Sequence, residues 1–239
     1  MADNTVATSA PPAPLNVFAR FIGVLFEPRQ TFASVAAYPK VFGMLCLTIV
    51  ISAFAAALPL MTEGGKESAI EQQVAGMEAF GMEVSDETYA QLQSRAWMMP
   101  YTAGAGVLVV APIALLIISG ILFAIFNAAM GGTGTFKQVM AVVVHAGVIS
   151  TLGGLFGGIL NYFREAAGSA TNLAVLLPFL DEKSFAGRLA GMIDLFLIWW
   201  LLALAIGLGV LYRRRTQPIA VTLFSIYAII ALIIAFVRS

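Results

Sequence analysis

Charge is what this chain has least of. Only 11% of its 239 residues are Asp, Glu, Lys or Arg, against about 25% in a typical soluble domain. The 13 acidic and 13 basic side chains cancel, which leaves no basic face of the kind nucleic acid requires and argues against such a partner. There is one cysteine, Cys46, inside an apolar run, and one thiol forms no internal disulfide. The single histidine, His145, nearly excludes a zinc site of His and Cys ligands within one chain. No cofactor is implied. His-Glu-x-x-His and Gly-x-Ser-x-Gly are absent, and no carboxylates cluster in the apolar runs, so an enzyme is not expected. Gly131–Lys137 is Gly-rich and ends in Lys, but Phe136 precedes that Lys and Gln138 follows it, unlike a phosphate loop. It reads as a tight turn, with Thr135 capping the next helix.

What the chain has in excess is apolar surface. Hydrophobic residues make up 60% of it, more than one soluble core hides, so the bilayer is its natural solvent. About 20 apolar residues cross the hydrocarbon as a helix. Five stretches qualify: Val41–Met61, Thr102–Met130, Val139–Leu160, Met192–Leu211 and Ile219–Val237. None shows the two-residue alternation of a barrel strand. The fold expected is an all-α polytopic membrane protein, a bundle of five transmembrane helices, with Pro112 a candidate kink in the second.

Ahead of the bundle, Met1–Pro14 is small-residue and Pro-rich. It reads as a disordered tail and not as a cleavable signal peptide. The first span then acts as an uncleaved anchor. Residues 15–40 follow, with Val17, Phe18, Phe21, Ile22, Leu25 and Phe26 at helical spacing. They predict an N-terminal amphipathic helix, either lying in the membrane interface or packed on the bundle end.

Residues 41–239 form the membrane domain. Its one sizeable loop, residues 62–101, is acidic, and two helices joined at Gly81 are predicted there, the second capped by Ser85. That hairpin is either a partner or cation surface or a solvated cap. A later loop, residues 161–191, carries the short apolar piece Leu173–Leu180 and a plausible N-cap at Ser184.

Basic residues divide seven to six between the two sides, so count does not orient the chain. Position does: Arg213, Arg214 and Arg215 share a turn of a few residues, where the positive-inside rule is strongest. The N-terminus and this turn are placed in the cytoplasm, and Ser239 on the far side of the membrane.

Several local patterns carry a resemblance. They are Phe21–Phe32 (F-x-G-x-L-F-E-P-R-Q-T-F) with Pro39 after it, Gly131–Val139 (G-G-T-G-T-F-K-Q-V), Asp194–Trp200 (D-L-F-L-I-W-W) and Ala205–Gly209 (A-I-G-L-G). In order and spacing the chain resembles the Yip family, the Ypt/Rab-interacting membrane proteins, from about Phe18 onward, especially its bacterial members. The resemblance implies a five-helix membrane domain with a cytoplasmic N-terminus. Eukaryotic relatives contact small GTPases, but this chain departs from them in lacking a long cytoplasmic N-terminal region, so GTPase binding does not carry over.

Few residues could carry chemistry. Asp194 is read as a carboxylate a few residues into the fourth span, near its outer interface, either anchored to another helix, serving a proton or ion site, or simply exposed at the interface. His145 and Asn127 are read as facing each other across the bundle within hydrogen-bond reach. His145 and Asp194 enter from opposite faces and are not expected to couple. Gly153, Gly154, Gly157 and Gly158 are candidate helix-packing residues, serving the monomer or a homo-oligomer. Arg213, Arg214 and Arg215 are candidate lipid headgroup contacts. The function expected is contact with membrane lipids, helices or a protein partner. The alternative is a small transporter using Asp194, His145 and Asn127.

Overall fold

The computed structural model describes residues 13–177, 179–181 and 184–237. The expectations for residues 1–12, Glu182, Lys183, Arg238 and Ser239 lie outside the described residues. Among the described residues all regular structure is helical, and the one β pairing is an isolated bridge between Asn172 and Asp194.

The chain opens with α1 (Val17–Phe26) and α2 (Pro28–Ala37). Pro28 cannot continue α1 but suits the first turn of α2. Next come α3 (Phe42–Ala57), a 3-10 turn (Pro59–Met61), α4 (Glu63–Ala79) and α5 (Asp86–Ser94). Ser85 caps α5 by accepting from the Thr88 N–H, and Gly81 takes φ +76° between α4 and α5. α6 (Met99–Phe123) runs unbroken through Pro112 and widens into a π-helix over Ala124–Ala129. Thr135 and Gln138 form a capping box at the start of α7 (Phe136–Arg164). α8 (Leu173–Leu176) and α9 (Phe185–Met192, capped by Ser184) lead to α10 (Leu195–Leu211) and α11 (Thr216–Val237).

Three helical stretches, Ala96–Ala128, Phe136–Arg164 and Thr216–Phe236, are long and apolar enough to cross a membrane. α3 and α10 are also apolar but stop at 16 and 17 residues. That is about 24–26 Å at the helical rise, against a hydrocarbon core of about 30 Å. Their ends have causes: Pro59 tightens the chain after α3, and Asp194 starts α10 later than the apolar run alone predicts.

α7 is the centre. In its most apolar window 56% of residues are buried, against 11% and 17% in the other two long stretches. It packs on α3, α6 and α10 and also meets α1 and α2. Val139, Val142, Val143, Ala146 and Ile149 form its buried face. α2 wedges Phe32 and Val35 against α7 and α10, where Gly207 leaves the room. A Cβ at Gly207 would come within 2.6 Å of Val142 and 3.0 Å of the Phe32 ring. α11 rests on α10 and α9.

α1 has two unlike faces. Arg20 and Val24 turn into the bundle, while Phe18, Ile22 and Phe26 are exposed. A side chain as buried as Phe32 (0% exposed) loses about 3–5 kcal/mol on truncation to Ala, whereas an exposed one loses little. Phe32→Ala is therefore expected to lower the melting temperature in detergent sharply, and Phe18→Ala (72% exposed) hardly at all. Equal losses would mean that α2 is not wedged as described.

Candidate functional site

Polar groups gather at the two ends of the bundle. At the end that carries α4 and α5, Asp194 is not inside a helix. It is the N-cap of α10, and one carboxylate oxygen accepts from the Phe196 and Leu197 N–H groups at 2.8 and 3.1 Å. The other oxygen accepts from the Ser169 hydroxyl at 3.2 Å and from the Thr171 hydroxyl. Four donors thus satisfy it, and the in-span placement is corrected by one turn. The Ser/Gly/Thr-rich loop after α7 supplies the hydroxyls, which the sequence reading had not paired with Asp194.

Beneath Asp194 an open pocket of ≈ 620 Å³ lies between α3, α7, α10 and that loop. Four of the five glycines of α7, Gly153, Gly154, Gly157 and Gly158, line it but are not alike. A Cβ at Gly158 would meet the Ala55 carbonyl oxygen at 2.5 Å, and one at Gly153 would meet Phe196 at 2.6 Å, so these two allow close helix approach. A Cβ at Gly154 or Gly157 would meet nothing within 4 Å. Asn161 also lines the pocket and donates to the Gly168 carbonyl at 2.6 Å.

At the other end Asn127 and His145 do not pair. Asn127 sits in the π-helical segment, donates to the Gly134 carbonyl and accepts from the Tyr212 hydroxyl at 2.7 Å. Tyr212 stacks on Phe126 with ring centroids 5.0 Å apart. The Gly-rich turn makes way for that ring, since a Cβ at Gly132 would stand 2.6 Å from it. Arg214 adds a bond from Nη2 to the Met130 carbonyl at 3.1 Å. One knot therefore ties the end of α6, the 131–135 turn and the α10–α11 turn together. Arg213, Arg214 and Arg215 are all exposed in that last turn, and Arg213 takes φ +52°.

His145, 1% exposed, turns its Nδ1 to the Ala141 carbonyl at 2.7 Å, and its Nε2 has no partner among the described residues. Arg20 lies on α1, which packs on α7. Arg20 is 2% exposed and donates from Nη2 to the Tyr38 carbonyl at 3.0 Å, while Nε and Nη1 have no partner among the described residues. Burial pulls its guanidinium below the usual range. The sequence reading missed this burial. The signal was there, because Arg20 shares a helical stripe with Val17 and Val24.

Between the two ends, Ser52 of α3 donates to Thr151 of α7 at 3.3 Å, and no side-chain hydrogen bond among the described residues carries on from there to His145. Gly153, at the level of Phe196, stands eight helical residues from His145, or about 12 Å along α7. The pocket under Asp194 reaches α7 no deeper than Ser150. Among the described residues no group of three or more His, Cys, Asp or Glu is placed to hold a metal.

Apolar helices packed around a buried central one define a polytopic helical transmembrane protein. It belongs to the Yip1 domain family, whose domain matches residues 22–238. It is similar to the "Membrane protein YknW" of Bacillus subtilis (strain 168), 27% identical over 222 residues that cover 91% of this chain and 90% of that protein. No solved structure matches the chain.

The unequal glycines give a direct test of helix packing. Gly158→Ala is expected to push α3 from α7 and cost about 1–3 kcal/mol, because a backbone carbonyl cannot swing away as a side chain does. Gly154→Ala should leave the melting temperature unchanged. The reverse order in a detergent melting series would place the tight contact elsewhere.

Proposed function

We propose that this chain is a non-catalytic membrane scaffold of the Yip1 type, working through contacts with lipids, helices or a protein partner. In this reading α3, α6, α7, α10 and α11 are five spans of a bacterial inner membrane. The N-terminus and the triple arginine face the cytoplasm and the C-terminus faces outside. α1 lies in the interface with Phe18, Ile22 and Phe26 in the acyl region, while Arg20 and Val24 hold it to the bundle. The acidic α4–α5 segment is an outer cap. Gly154 and Gly157 leave room on α7 for a partner helix or a second copy.

The observation that carries the reading is how Asp194 and Asn127 spend their polar atoms. Four donors at Asp194 and two bonds at Asn127 are internal ties between segments. A transport path needs polar groups that exchange partners with a solute along a continuous route. Here the pocket at one end stops short of the histidine at the other. Such a protein organises membrane or serves a partner as an accessory subunit.

The test is affinity purification of the tagged full chain from native membranes in a mild, lipid-preserving extraction, with mass spectrometry of what remains bound. A stoichiometric protein partner or a defined set of lipids is expected. Asp194→Ala serves alongside it and should cost about 1–2 kcal/mol through the lost cap. Full thermal stability in that variant, together with loss of a proton-dependent phenotype, would overturn the scaffold reading in favour of transport.

A further inference from the structure

α11 leans on α10 and α9, and a groove of ≈ 530 Å³ opens between it and α6, with α10 as its floor. Its walls are apolar: Ile118, Ile125, Leu204, Leu223 and Ile226 are typical. The two hydroxyls along it are already engaged, Thr222 with the Pro218 carbonyl and Tyr227 with the Met192 carbonyl. At one end only, the lining becomes charged, with Arg214 and Arg215. Arg213 is in the same turn but does not line the groove.

Two properties select the occupant. The first is length. Pro218 to Ile230, both in the wall, are twelve helical residues apart, or about 18 Å. Half the hydrocarbon core is about 15 Å. The groove therefore runs from headgroup level through one leaflet. The second is charge order: two cations at headgroup level and an uncharged trough below them match an anionic headgroup above an acyl chain. A helix of a partner or of a second copy would have to bring an acidic residue to one end of a fully apolar segment.

We propose that this groove is a site for one anionic phospholipid of the leaflet at the triple-arginine end. Its phosphate sits against Arg214 and Arg215, and an acyl chain lies between α6 and α11. This rests on the contact-based reading above and assigns it a ligand class and a place. Arg214 already spends one N–H on the Met130 carbonyl, so its guanidinium is held at the mouth of the groove.

The test uses the purified full chain in nanodiscs of phosphatidylcholine with a minority of phosphatidylglycerol, and native mass spectrometry counts the lipids retained on release. The unaltered chain is expected to keep one phosphatidylglycerol with about 30-fold preference, a little over fivefold from each arginine. The pair Arg214→Gln and Arg215→Gln should abolish that preference, and Arg213→Gln should keep it. Leu223→Trp, which fills the trough, should release the lipid whatever its headgroup. Equal effects from Arg213→Gln and from the pair would mean diffuse surface attraction and overturn the proposal. So would a lipid that survives Leu223→Trp, or dimer masses with no lipid retained. Loss of selectivity alongside a captured protein partner would sink only this site. A proton-coupled flux in reconstituted vesicles would sink the scaffold reading itself.

Discussion

In hydrocarbon no water is available to complete a hydrogen bond, so each polar group that enters this bundle must be satisfied by the chain itself. That requirement organises the molecule more than any single apolar contact does. Asp194 meets it by closing a loop onto the start of α10, and Asn127 by closing a turn onto the end of α10. α10 is thus tied at both ends, and with only 17 residues it has little slack. α7, packed on it, is fixed at its start by the Thr135–Gln138 capping box, from which Gln138 also reaches the Ala36 carbonyl of α2 at 2.9 Å. The helices are set in register by these ties. The apolar faces then have only rotation left to choose, and small residues at Gly158 and Gly207 choose it.

One group stands outside this accounting. Arg20 and His145 are buried with unpartnered nitrogens among the described residues. Burying unpaired polar atoms is costly. Their placement where α1 crosses the start of α7 makes the N-terminal helix part of the bundle's polar interior and not a loose attachment. The bland face of α1 is its outer one, where Phe18 and Phe26 meet the surroundings.

Much of this was legible in the residues, and the failures have physical causes. Long apolar runs gave the helices, and Thr135, Ser85 and Ser184 gave starts that the structure keeps. Asp194 was placed inside a helix because hydropathy averages over a window, and a single capping carboxylate does not interrupt the average. The pairing of Asn127 with His145 failed because depth along two spans says nothing about rotation. The π-helical segment turns Asn127 toward Tyr212, a residue that sequence reads only as an aromatic helix end. The glycines of α7 were legible only in part. Spacing puts four of them within two turns, but which two touch a neighbour depends on helix phase, and that is a tertiary quantity.

The groove beside α11 follows from the same geometry. α6 with its leading and trailing turns and α11 are both longer than α10, which lies between them as a floor. Two long walls on a short floor leave a trough between them. A trough of that kind cannot stand empty in a bilayer, because its lining would forfeit dispersion contact along its whole length. Tails of neighbouring lipids must fill it. Charge at one end then decides which lipids fill it best, since Arg214 is already anchored through Met130 and needs little ordering to meet a phosphate. The asymmetry between the ends of this protein thereby acquires a reason. The end with Asp194 uses its polar groups to hold the chain together, and the end with the arginines has charge to spare for the membrane.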